Sequence, residues 1–289
     1  MSIGVVIILY YPDIAHVQDT LSRFKDSLWD IVLVDNSPTL SPVRLTPNSK
    51  IIHFSDNIGI AEAQNVGLRQ VFSNGASYAL LLDQDSHFDG QSTLDLLTQF
   101  ESLENKCSAA AIGPSIQCEF TNKIVAAKFH KGEVVSKDVE RVPQLIASGM
   151  LLSASAFLEV GEKESSLFID GVDHEWCWRA RASGYSVFQS LTVCMPHRQG
   201  DDRVKVWGIT FKQGAPIRLY YQFRNILILM RRSYVPLYWK CRHFFAIPLR
   251  YFVNRYVMPE GKRRGRFMRQ GLRDGINKHS GAYTEVNKR

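Results

Sequence analysis

Four short aliphatic runs, at residues 3–9, 31–34, 50–54 and 78–82, are separated by stretches of helical period at 16–25 and 60–72. Runs that are apolar without alternation are strands covered on both faces, as in a parallel sheet. Strand and helix in alternation make an α/β layered domain, whose ligands gather at the carboxyl ends of the strands. Two of those ends are acidic: Asp35 follows the second strand, and Asp83 and Asp85 follow the fourth. Gly75 supplies a glycine stop for the second helix. Residues 107–200 are less regular, with strands expected at 109–116, 151–153, 186–189 and 191–195 and a helix at 172–182 ended by Gly184.

The 289 residues are 45% hydrophobic and 22% charged, enough for a substantial core and incompatible with intrinsic disorder or a collagen-like repeat. The longest uncharged stretch, residues 142–158, holds Pro143, Gln144, Gly149 and three serines, so no membrane span is expected. No basic leader precedes the first apolar run, and the five cysteines form no Cys-x-x-Cys pair, which points to reduced thiols in a cytoplasmic protein. The net charge of +7 is unevenly shared. Residues 1–200 carry 15 Lys+Arg against 23 Asp+Glu, a net of −8; residues 201–289 carry 20 against 5, a net of +15. Such segregation marks an acidic body and a tail that meets an anionic surface, either nucleic acid or a membrane leaflet.

Asp83-Gln84-Asp85 places two carboxylates at a strand end, where a divalent cation can share its shell with a diphosphate. A solvated acidic turn is the plain alternative. Asp35-Asn36-Ser37-Pro38 offers a carboxylate to the imino N–H of a pyrimidine base, although the same residues make a good Asx turn by themselves. From Asn57 to Gly67 small residues open a helix and permit close approach of an anion or nucleotide, or of the sheet itself. Within that segment Asn65 is unfavourable in mid-helix unless its amide has work to do. Asp173 could cap the helix it opens or act as a general base, and Glu175 with Arg179, four residues on, suits an intrahelical ion pair. His197 is a chemically reasonable third metal ligand beside Asp85. The first strand is followed by Tyr10-Tyr11-Pro12 with no Gly-x-Gly-x-x-Gly, which disfavours a dinucleotide-dependent oxidoreductase.

Seven blocks in order resemble the inverting, family 2 nucleotide-sugar glycosyltransferases, and within them the bacterial rhamnosyltransferase branch. They are Val34-Asp35-Asn36-Ser37, Asn57-x-Gly59-x-Ala61-x-Ala63-x-Asn65-x-Gly67 and Leu81-Leu82-Asp83-Gln84-Asp85-Ser86. Ala147-Ser148-Gly149, Phe168-Ile169-Asp170-Gly171-Val172-Asp173-x-Glu175-Trp176-Cys177-x-Arg179 and Pro196-His197-x-x-Gly200 follow. Arg218-x-Tyr220-Tyr221-x-x-Arg224-Asn225 closes the series. The resemblance runs from Val5 to about Gly281 and implies a GT-A fold. This is an α/β fold with a mostly parallel central sheet, catalytic over 1–215, followed by a basic, aromatic helical region over 216–289. It further implies that Asp35 contacts the base, Asp83 the nucleotide or ribose, and Asp85 with His197 a Mg²⁺ or Mn²⁺ ion. Asn57 and Asn65 fall in the nucleotide-binding segment, and Asp173 is the implied catalytic base. Relatives often carry Glu-Asp at the base position, where this chain has Val172-Asp173, so Glu175 and Asp170 remain substitutes.

The implied reaction moves a sugar, most simply L-rhamnose from dTDP-L-rhamnose, onto a lipid-linked saccharide acceptor of bacterial surface polysaccharide. A UDP-hexose donor keeps the same fold and mechanism. The tail interleaves Trp239, Phe244, Phe245, Tyr251 and Phe252 with Lys240, Arg242, Arg250 and Arg255, a composition suited to the inner face of an anionic membrane. A nucleic-acid-binding protein is the distant rival; the tail has no reader motif and the acidic body would repel phosphate.

Overall fold

Strand β1 (Ile3–Leu9) leads through helix α1 (Ile14–Ser22) to β2 (Trp29–Asp35) and β3 (Ser49–His53), and through α2 (Ile60–Ser73) to β4 (Tyr78–Asp83). The computed structural model describes residues 2–118, 123–124, 132–197, 202–206 and 209–284; at 118, 123–124, 197, 202–206 and 209–213 it describes the backbone alone. These four strands are parallel in the order β3-β2-β1-β4. Every residue of β1 is buried, as an all-apolar strand between two neighbours requires. Its register sets Leu9 against Asp35 and Ile8 against Asp83, which brings both acidic strand ends to one edge of the sheet.

Side chains alternate along β1. Val5, Ile7 and Leu9 join Leu21, Phe24 and Phe100 on one face. Val6 and Ile8 join Leu68, Val71 and Trp176 on the other. Helix α2 lies close on β1 because each supplies a glycine at the contact. A Cβ on Gly67 would come within 2.2 Å of Val6 Cγ1, and one on Gly4 within 2.6 Å of Val71 Cβ. This satisfies the helix–sheet packing reading of the small residues. At its far end Gly75, at φ 93°, lets the chain turn back after Asn74.

Helix α3 (Gly90–Glu104), additional to the expected elements, has its signal in the sequence. Asp89 accepts from Ser92 N at 2.8 Å as its N-cap, and Leu96, Phe100 and Leu103 form its buried stripe. It leads to β5 (Ala109–Cys118), a short β6 (Lys123–Ile124), β7 (Glu133–Ser136), β8 (Val139–Val142), β9 (Met150–Ser153) and α4 (Ala154–Val160). After α5 (Val172–Ala182) comes β10 (Ser186–His197), one long strand where two were expected, its register slipping between Gln189 and Cys194. Strand β9 runs antiparallel between β4 and β5, so the sheet is parallel through its first four strands and mixed beyond them. A separate hairpin, β11 (Asp202–Val206) with β12 (Ile209–Gln213), precedes α6 (Arg218–Met230), α7 (Leu237–Phe252), a π turn at Val253–Val257 and α8 (Gly261–Ile276).

Replacing Gly67 with alanine separates two effects. Helix propensity alone gains ~1 kcal/mol, whereas overpacking against Val6 costs ~1–3 kcal/mol. A lowered melting temperature for Gly67→Ala is expected; a raised one would show that α2 can retreat from the sheet.

Candidate active site

The loops at the acidic edge are tied together by side chains from each other. Tyr10 N, just past β1, donates to Gln84 Oε1 at 2.7 Å, so the middle residue of Asp83-Gln84-Asp85 anchors that turn to the neighbouring strand. Tyr11, at φ 49°, donates its N–H to Ser37 Oγ at 2.9 Å. Asp35 has no exposed surface; its two oxygens accept from Ser37 N at 2.9 Å and Ser41 N at 2.7 Å. Burial pushes its pKa upward, but the hydrogen bonds from Ser37 and Ser41 outweigh that and hold the carboxyl below its ordinary value. The carboxylate thus fixes the loop that follows β2. Asn36 Nδ2 reaches Gly59 O at 3.4 Å and links this loop to the start of α2.

The N-terminus of α2 is closed by protein. Ile60 N donates to Phe168 O at 2.9 Å and Ala61 N to the same oxygen at 3.4 Å. Asn57, exposed, accepts from Gly59 N at 2.9 Å in an Asx turn. Asn65 is fully buried, and its amide grips residue 163 from both sides. It accepts from Lys163 N at 2.9 Å and donates to Lys163 O at 2.8 Å. That is the work which mid-helix asparagine required.

The loop into α5 is strained. Phe168, Asp170 and Gly171 have φ of 64°, 68° and 92°, conformations unfavourable for the first two. It is held from α6: Asn225 Nδ2 lies 3.0, 2.8 and 2.9 Å from the carbonyls of Leu167, Ile169 and Asp170, and Arg224 Nη2 donates to Leu167 O at 2.9 Å. Arg218 pairs with Asp170 at 2.8 Å, and the Phe168 ring stacks on Tyr221 at 4.9 Å. The region expected to begin at 216 therefore opens with a helix that builds this loop.

Gly171, not Asp173, is the N-cap of α5, and it makes no side-chain cap bond. Asp173 sits in the first turn, where the helix dipole favours its charge. Its Oδ1 is 3.2 Å from Lys163 Nζ, and its side chain keeps 26% exposure. Glu175 is fully buried, held by Arg179 at 2.8 Å and by Tyr234 Oη at 2.7 Å, as the ion-pair reading expected.

Asp83 is half-buried and accepts from Ser148 Oγ. Asp85 is exposed, and among the described residues it has no protein partner. Two hard oxygen donors at a strand end suit Mg²⁺ or Mn²⁺. Among the described residues no three His, Cys, Asp or Glu side chains gather. His197 ends β10 opposite Cys118; its side chain lies outside the described residues.

No family model matches the chain. It is 29% identical over 245 residues to the dTDP-rhamnosyl transferase RfbF of Shigella flexneri, covering 82% of each chain. Among solved structures it superimposes on S. aureus TarS 1-349 in complex with UDP-GlcNAc, with a TM-score of 0.60, 13% identity, and 96% of this chain and 82% of that one covered. It also matches GalNAc-T7 with UDP, GalNAc and Mn²⁺ at a TM-score of 0.59 and 13% identity, covering 96% of this chain but only 56% of that one. This chain has the GT-A fold.

In this fold the acidic strand ends expected from the sequence do meet at one edge. The contributions of Ser148, Gln84, Lys163 and the Asn225 clamp come from tertiary contact. Asn225 carried a legible signal, standing with Arg224 between Phe223 and the apolar run at 226–229. Asn225→Leu removes the donor shared by three carbonyls, of which Leu167 O alone keeps Arg224 as a partner among the described residues. A loss of ~2–4 kcal/mol is expected, and residual folded enzyme should lose activity; an unchanged melting temperature would show that the strained loop holds itself.

Proposed function

We propose that the enzyme is an inverting, metal-dependent rhamnosyltransferase that uses dTDP-L-rhamnose and acts on a lipid-linked saccharide at the inner face of the cytoplasmic membrane. The observation that carries this reading is the shared edge. Asp83 ends β4 there with Asp85 in the turn just beyond, and the loop that delivers Asp173 is pinned by Phe168 to the same end of the sheet. The sequence relation to a dTDP-rhamnosyl transferase over most of both chains supports the donor.

In this mechanism the donor nucleotide lies across the ends of β1, β2 and β4. The loop fixed by Asp35 receives the base, Asn57 lies beside it at the start of α2, and Asp83 faces the ribose. Asp85 would hold the divalent cation, with His197 as a further ligand, and the cation would supply charge neutralisation to the diphosphate. Asn65 acts from within the helix by fixing residue 163. The acceptor hydroxyl attacks the anomeric carbon while the carbon–oxygen bond to the diphosphate breaks. Its proton passes to Asp173, and the departing diphosphate takes the bonding pair. Attack opposite the leaving group inverts the anomeric centre. The partial exposure of Asp173 leaves it reachable by an acceptor, which buried Glu175 and the Arg218-paired Asp170 are not in the same degree.

The tail aromatics divide into two sets. Trp239 is buried against Trp178 at 5.2 Å, Tyr251 bonds Arg269, Lys240 bonds Arg232 O, and Arg250 bonds Gln222; these belong to the protein interior and its seams. Leu237, Phe244, Phe245, Leu249, Phe252 and Tyr256 are exposed along one helical face, between 40% and 76%. Exposed Arg242, Lys262, Arg263 and Arg266 accompany them. An apolar face beside positive charge suits shallow seating on an anionic bilayer. No described helix is long and apolar enough to cross a membrane.

Nucleoside diphosphate release from dTDP-L-rhamnose and from UDP-sugars, with Mg²⁺, Mn²⁺ or EDTA, tests the donor. Release from dTDP-rhamnose alone and its loss in EDTA are expected; selective use of a UDP-sugar overturns the donor and keeps the fold. Asp173→Asn should bind nucleotide normally and lose ~10²–10⁴-fold in turnover, an assignment that near-normal turnover would refute. In flotation with phosphatidylglycerol-containing liposomes, Phe244→Ser/Phe245→Ser should remain in solution while the wild type floats. Equal flotation removes the membrane reading.

A further inference from the structure

Among the described residues Lys163 is the only buried lysine, its side chain fully covered. It lies between α4 and the turn at Ser165–Leu167, where Asn65 bonds its backbone N–H and carbonyl together. Among the described residues the ammonium meets one aromatic face and one carboxylate. The Trp176 ring centroid is 5.6 Å away, and Asp173 Oδ1 is 3.2 Å away. The other titratable groups on α5 do not compete for it. Burial keeps the His174 pKa below its ordinary value and pushes the Cys177 thiol up to about 12, so both are neutral at physiological pH. Glu175 is bound by Arg179 and Tyr234. An ammonium removed from water must keep a counter-charge, and the one within reach is the carboxylate read above as the base.

We propose that Lys163 is the positioning residue of the reaction: its buried ammonium fixes Asp173 Oδ1 and so presents Oδ2 to the acceptor proton. The inference rests on the reading of Asp173 as the base. It gives the buried residues a connected purpose. Asn65 on α2 locks the backbone of Lys163, Trp176 covers its ammonium, and the ammonium locks one oxygen of an aspartate that is otherwise open to the acceptor. Among the described residues Asp173 has no other hydrogen-bond or ion-pair partner, so without Lys163 its side chain is free to rotate away from the sugar. Lys163 does not touch the reacting atoms.

The test uses the full chain, the donor chosen by the panel above, and water as acceptor, so that hydrolytic release of nucleoside diphosphate reads the chemistry without an identified saccharide. K163M keeps length and removes charge. Its kcat should fall about 10- to 100-fold, the loss expected when a reacting group is misplaced by roughly an ångström. The KM for donor should stay within about twofold, because the nucleotide is held elsewhere. Introduced into Asp173→Asn, K163M should add no further loss, since the group it positions is gone. Wild-type kcat in K163M, or an equal additional loss in the Asp173→Asn background, overturns the inference and leaves the base reading standing. Wild-type turnover in Asp173→Asn removes the base reading and this inference with it. Where K163M melts below the assay temperature, K163Q is scored in the same way.

Discussion

The parallel pairing of β1 with β2 on one side and β4 on the other is the constraint on which the rest depends. Parallel strands end together, so a register that sets Leu9 against Asp35 and Ile8 against Asp83 gathers acidic residues and loops at one edge. The pairing is secured by burial of a wholly apolar β1 on both faces and by the close seat of α2 allowed at Gly4 and Gly67. Once that edge exists, loops from distant parts of the chain meet there and must satisfy one another's backbone groups.

The fold then assigns different duties to side chains that all end in a carboxylate. Asp35 and Glu175 are fully enclosed and act on protein, the first on loop amides and the second on Arg179 and Tyr234. Asp170 is tied to Arg218 at a strained turn. Asp85 and Asp173 retain exposure, and Asp83 lies between the two conditions. The carboxylates that remain open at this edge are therefore few, and their identity follows from hydrogen-bond supply rather than from residue type. Strain at Phe168 and Asp170 has the same origin: Asn225 satisfies three carbonyls that no regular helix entry would present in that way.

Much of the layout was legible locally. The apolar runs gave β1 to β4 within a residue or two, because strand burial is a property of consecutive residues. The helix at 172–182 was read with its boundaries, since Gly171 and Gly184 bracket it. The reversal of β9 was not, because a four-residue apolar run carries no direction. The division of the tail aromatics was hidden for a related reason: Trp239 and Phe245 look alike in sequence, and only packing against Trp178 sends one inward.

The amino-acid sequence by itself determined the alternation of strand and helix, hence the α/β class, and which strands end in aspartate. It also supplied the seven ordered blocks that resemble nucleotide-sugar transferases. Tertiary structure decided which carboxylates stay available and what holds them. The deciding contacts join residues far apart in the chain, Asn65 with Lys163 across 98 positions and Asn225 with Leu167 across 58. Local propensity cannot express such pairs, because burial and hydrogen-bond satisfaction are properties of the folded neighbourhood rather than of the residue.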